Sequence, residues 1–152
     1  DVSERALACA GDNLARLQLT ARVELQHTDL YPEGKAALVV CNPPWLPARP
    51  SSVLEQAVYD PDSAMLRGFL NGLKAHLCDG GEGWLILSDL AEHLELRTRA
   101  QLLQWIADAG LHVLERLDTR PHHRKTHDPT DPLHTARAAE VTSLWRLGKA
   151  VG

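Results

Sequence analysis

Residues Ala36 to Cys41 form an uncharged apolar run that stops at Asn42-Pro43-Pro44-Trp45. The turn-rich stretch Tyr31-Pro32-Glu33-Gly34-Lys35 precedes it. A short apolar run between turn signals reads as a strand covered on both faces. Proline has no N–H to give a ladder, so the strand must end before Pro43. A strand of this kind needs helices on both sides of its sheet, which points to an α/β architecture.

The flanking segments agree. Ser3 is an N-cap candidate for a helix to Leu17, with Ala6, Leu7, Ala10, Leu14 and Leu17 at helical spacing. Val23 to Leu30 alternates and predicts a strand. Asp62 to Cys78 predicts a helix with Met65, Leu66, Phe69, Leu70, Leu73 and Leu77 on one broad face. The glycine-rich Asp79 to Gly83 would end it, and Trp84 to Leu87 would be a buried strand. Leu90 to Ala109 reads as one long helix closed by Gly110. His112 to Leu117 and Glu140 to Leu147 read as strands joined by a polar loop, Arg120 to Thr135. Strands alternating with helices imply parallel crossovers. The last two strands lack an intervening helix and can pair antiparallel at one edge.

Length and composition narrow the function. A chain of 152 residues, 44 % hydrophobic and 24 % charged, suits one globular domain. No apolar run approaches the ~20 residues of a membrane span, and no membrane role is expected. Cys9, Cys41 and Cys78 form no CxxC pair, so neither a disulfide framework nor a zinc site is expected, and a cytoplasmic setting is. A net charge of −4 argues against a protein that coats nucleic acid, though not against a local basic patch.

The chemistry concentrates at Asn42 to Trp45. The strand delivers Asn42 to the carboxyl edge of the sheet, where open α/β folds bind ligands. Two prolines stiffen the next turn and leave its carbonyls free. The Asn42 oxygen and a proline carbonyl can accept both hydrogens of an –NH₂ group, and Trp45 offers a flat face for stacking. Catalysis by such a site is orientation. As a bare pattern the same residues are also a strand end, a proline turn and a packed tryptophan.

Val39-Val40-Cys41-Asn42-Pro43-Pro44-Trp45 resembles the signature of class I S-adenosylmethionine-dependent methyltransferases that modify planar nitrogens. The resemblance implies a Rossmann-like sheet, mostly parallel with an antiparallel edge strand, S-adenosyl-L-methionine as cofactor, and catalytic Asn42, Pro43, Pro44 and Trp45. Asp1 resembles the acidic residue that binds the cofactor ribose in that family. Thr28-Asp29-Leu30 resembles the end of its third strand, where the Asp contacts adenine. The resemblance thus assigns Asp1, Asp29 and Asn42 to cofactor binding. Asp60-Pro61 to Gly72-Leu73 resembles the helix after this motif in HemK-like release-factor glutamine methyltransferases. The implied acceptor is a base amino group in rRNA or DNA, or a glutamine of a protein such as a release factor.

The family's glycine-rich cofactor loop is not in the sequence and would lie upstream of Asp1. Residues 1–152 are therefore expected to be the C-terminal part of a single methyltransferase domain, incomplete at its N-terminus. Alone it would bind the cofactor weakly and transfer no methyl group. Strand edges left open would favour a homo-oligomer. A non-catalytic binding or assembly domain on the same fold is the alternative.

Other features read more plainly. His122, His123, His127 and His134 with Asp128 and Asp131 match no closed zinc module, and a solvated loop is expected. Arg120, Arg124, Lys125 and Arg137 suit either a phosphate-contacting rim or ordinary surface charge. Trp84 and Trp105 are expected in the core. Asp89 either faces the cleft or caps the helix after it.

Overall fold

The computed structural model describes residues 1–47, 60–120 and 134–150. The chain divides into two compact units, Asp1–Gly34 and Lys35–Gly152.

The first unit holds helix α1 (Glu4–Arg16). Ser3 caps it as expected: its hydroxyl accepts from the Ala6 N–H at 3.2 Å, with Glu4 in the first turn and Arg16 in the last. Residues 23–28 have no regular secondary structure, which corrects the expected strand Val23 to Leu30. The reason is visible in their hydrogen bonds. The Asp1 amino nitrogen donates to the Gln26 carbonyl at 2.9 Å, and Thr28 N–H donates to the Asp1 carbonyl at 3.2 Å. That is one rung of a parallel ladder, and one rung does not make a strand.

The second unit is a four-stranded sheet. Its elements are β1 (Ala36–Cys41), α2 (Ala64–His76), β2 (Leu77–Ser88), α3 (Leu90–His93), α4 (Arg99–Asp108), β3 (Leu111–Thr119), α5 (His134–Ala139) and β4 (Thr142–Lys149). The strand order is β1-β2-β4-β3. β1 pairs parallel with β2, while β4 runs antiparallel to both β2 and β3. β4 is thus the one reversed strand, and the β3–β4 pair closes one edge as expected.

Leu66, Phe69, Leu70 and Leu73 of α2 and Leu102 and Ile106 of α4 are buried, as are Leu77, Leu85, Leu87, Leu111, Trp145 and Leu147 of the strands. Each such side chain contributes roughly 1.5–3 kcal/mol by leaving water. The spacing of the α2 residues is what made that helix legible.

Several expectations are corrected. β1 is not covered on both faces: Leu38 and Val40, two residues apart and so on one face, are 45 % and 56 % exposed. The Asp79 to Gly83 stretch lies inside β2, where Gly80 takes φ +74° and the register against β1 slips between Ala36 and Leu38. The long helix is two helices, broken at Glu95 with φ +57° and restarted by a Thr98–Gln101 capping box. Gly110, at φ +68°, follows the second helix as expected. His134–Ala139 is helical where only loop was expected. Trp84 and Trp105 are half-buried, and the core tryptophan is Trp145. The Arg116 and Arg99 guanidinium carbons lie 5.1 and 5.9 Å from its ring centre. Among the described residues, no helix is long and apolar enough to cross a membrane.

Candidate active site at the carboxyl end of β1

The parallel register pairs Val40 with Trp84 and Cys41 with Leu85. Asn42 is the first residue past that ladder and is exposed. Pro43 is buried and holds the chain where the strand ends. The half-buried Trp45 turns back on the strand end, and its indole N–H donates to Asn42 Oδ1 at 3.0 Å.

The turn is anchored on its far side. Leu46 is buried against Leu90 and Ala91 of α3, with Leu94 and Ala136 packed on the same cluster. The Leu46 carbonyl accepts from Asp60 N–H at 2.7 Å. The buried Asp60 carboxylate accepts from Met65 N–H at 2.8 Å and Leu66 N–H at 3.0 Å, covering orphan donors at the start of α2. Between these bonds, Asp62 and Ser63 adopt φ +56° and +53°, uncommon for residues with a Cβ. Burial, together with the Asp60 charge, pushes the Cys41 thiol up to about 11, so it stays protonated at neutral pH.

Beside this turn, at the end of β2, lies a set of buried polar groups. Ser88 Oγ donates to Glu140 Oε1 at 2.5 Å and accepts from Leu90 N–H at 3.0 Å. The buried Arg97 reaches the Ser88 carbonyl at 3.5 Å. Burial lowers the Arg97 pKa, opposed by the Glu92 and Asp60 charges. Asp89 stands at the N-cap position of α3, but its side chain makes no cap hydrogen bond. Its carboxylate accepts from Val141 N–H at 2.7 Å, and its own N–H donates to the Val141 carbonyl, fastening β2 to the segment before β4.

The cofactor-binding candidates Asp1 and Asp29 lie in the first unit. Asp1 Oδ1 accepts from Ser3 N–H at 2.7 Å. Asp1 also lines an open cleft of about 500 Å³ with Ala6, Leu7, Leu25, Thr28 and Leu30. That size falls in the range of small-molecule sites. Asp29 is exposed and does not line this cleft. The histidines at 122, 123 and 127, with Asp128, Asp131, Arg124 and Lys125, lie outside the described residues. So does the side chain of His134, whose backbone begins α5.

Sequence reasoning identified Asn42 to Trp45 but missed Asp60, Ser88, Arg97 and Glu140 as their surroundings. Only Asp60 gave a local signal, as a carboxylate before Pro61 at a helix start. The others come together through the fold.

No family model matches the chain. Over 78 residues it is 40 % identical to the ribosomal protein uL3 glutamine methyltransferase of Neisseria gonorrhoeae, 49 % of this chain and 26 % of that protein. The match thus spans about a quarter of the relative's length. Among solved structures, the ribosomal protein L11 methylase of Lactobacillus delbrueckii subsp. bulgaricus superposes with a TM-score of 0.61 at 16 % identity, over 99 % of this chain and 56 % of that one. A S-adenosylmethionine-dependent methyltransferase of Geobacter sulfurreducens, in complex with S-adenosyl-L-homocysteine, gives 0.52 at 18 % identity, over 98 % and 73 %. These superpositions show that the chain has the Rossmann-like α/β fold of class I S-adenosylmethionine-dependent methyltransferases.

Proposed function

We propose that the protein is a S-adenosyl-L-methionine-dependent N-methyltransferase acting on a planar amino nitrogen, and that its acceptor is a glutamine side chain of a ribosomal protein. One observation carries the reading. An exposed Asn amide ends a strand at the carboxyl edge of a methyltransferase sheet, with Pro-Pro-Trp behind it. The likeness to the uL3 enzyme favours a protein amide over a base of rRNA or DNA, and a ribosomal protein over a release factor.

Asn42 Oδ1 accepts one hydrogen of the acceptor –NH₂ and a carbonyl of the proline turn accepts the other. Both bonds orient the nitrogen, so rate comes from alignment. S-adenosyl-L-methionine supplies an electrophilic methyl group when bound. The residues present suit its adenosine part. Asp1 sets a carboxylate beside the apolar walls of Leu7, Leu25 and Leu30, a combination for ribose hydroxyls and a flat ring. Residues 1–152 would form the later part of the methyltransferase domain, working in the cytoplasm where ribosomes are.

The test is methyl transfer by the complete protein, from radiolabelled cofactor to purified uL3, to 50S subunits and to a release factor. Label on a uL3 glutamine supports the reading. Label only on rRNA would move the acceptor to a base, and no label on any substrate would favour a binding domain.

A further inference from the structure

We infer that Trp45 is a positioning residue, which fixes the orientation of the Asn42 amide through its indole N–H rather than serving as a stacking surface for the acceptor. The inference rests on the methyltransferase reading and deepens it.

A side-chain amide has two ends of opposite character. Its oxygen accepts and its nitrogen donates, and a half-turn about the last torsion exchanges them. An acceptor –NH₂ group needs the oxygen. A flipped Asn42 would present its own –NH₂ to the substrate nitrogen, two donors facing each other. Asn42 is exposed at a strand end, so burial does not prevent the flip.

Trp45 does. The indole Nε1–H is a donor only and cannot pair with the amide nitrogen. Its 3.0 Å contact to Oδ1 therefore selects one amide orientation on chemical grounds. The oxygen keeps a second lone pair for the substrate. Only two residues separate the partners, and both are prolines that give the link little freedom. On the far side, Leu46 is held by the α3 cluster and by Asp60 N–H, so the residue after Trp45 is fixed in place.

Stacking and positioning make opposite demands on the ring. Phenylalanine keeps a flat face and loses the donor. A benzothiophene side chain at position 45 keeps the indole outline and replaces N–H with sulfur. Both variants are made in the complete protein and compared with the unaltered one, using uL3 as acceptor. Positioning predicts that both lose kcat by about ten- to a hundredfold with KM nearly unchanged, because the lost alignment acts on the reacting geometry. A rise in KM at unchanged kcat, or full activity of the benzothiophene variant, would overturn it.

A second readout needs no turnover. In the parent protein, the Trp45 indole proton exchanges slowly with solvent by NMR. Asn42→Ala speeds that exchange while the Trp84 indole, which donates to Glu82 at 2.8 Å, keeps its rate. An unchanged Trp45 exchange rate in Asn42→Ala would overturn the lock even if methyl transfer were seen. If uL3 is not methylated but the exchange rate responds, the lock stands and the choice of acceptor fails.

Discussion

Asp60 is bound to Leu46 by its backbone N–H at 2.7 Å, and its carboxylate takes the Met65 and Leu66 N–H groups. One residue therefore couples the motif turn to the first turn of α2. Replacing it leaves two helix donors without their acceptor in a buried place. Asp60→Ala should lower stability by about 1–3 kcal/mol, measured by urea unfolding. An unchanged midpoint would mean that the cap is dispensable.

Gly83 makes a sharper packing test. It sits on β2 directly over the fully buried Leu73 of α2, and a Cβ there would overlap both methyl carbons of that leucine. The leucine has no solvent to move into. Gly83→Ala should cost about 1–3 kcal/mol as overpacking, and Leu73→Ala in the same chain should recover part of it. A neutral Gly83→Ala would contradict the close α2–β2 contact.

Acid stability should follow two surface clusters. The Arg146 and Trp84 hydrogen bonds hold Glu82 down to about 2. The Arg116 hydrogen bond, with help from Ser143, holds Asp118 down to about 2. Both pKa values are depressed by folding, so their stabilisation is complete above the ordinary carboxylate range near 4 and is lost as pH falls from there toward 2. Glu82→Gln should lower stability at neutral pH and flatten that acid limb. Urea midpoints between pH 7 and 2 would show it, and parallel curves for both proteins would refute it.

Thiol reactivity offers a probe beside the motif. Cys9 is exposed, whereas the Cys41 thiol is pushed up to about 11. Since the thiolate is the nucleophile, iodoacetamide at pH 8 should modify Cys9 and spare Cys41, as read by peptide mass spectrometry. Rapid labelling of Cys41 would contradict its burial.

How far the sequence reveals the molecule depends on whether its signals are local. α2 was legible because Leu66, Phe69, Leu70 and Leu73 repeat at helical spacing. Asn42 to Trp45 was legible because two prolines must end a strand. The break between α3 and α4 was missed, although Thr98 and Gln101 wrote a capping box, because the apolar pattern ran on through it. The exposure of Leu38 and Val40 could not be read from an apolar run, since burial depends on what packs over that face of the sheet. The Ser88–Glu140 bond joins residues 52 apart and has no local signature.

The most direct measurement concerns Asn42. Asn42→Ala is made in the complete protein and assayed for methyl transfer to uL3, for S-adenosyl-L-homocysteine binding and for thermal melting. The account predicts a loss of turnover of about a hundredfold or more, cofactor affinity within about twofold, and stability within about 0.5 kcal/mol, as expected for an exposed side chain away from the core. Near-full turnover by Asn42→Ala would contradict it and leave Asn42 to Trp45 as a proline turn at the end of a strand.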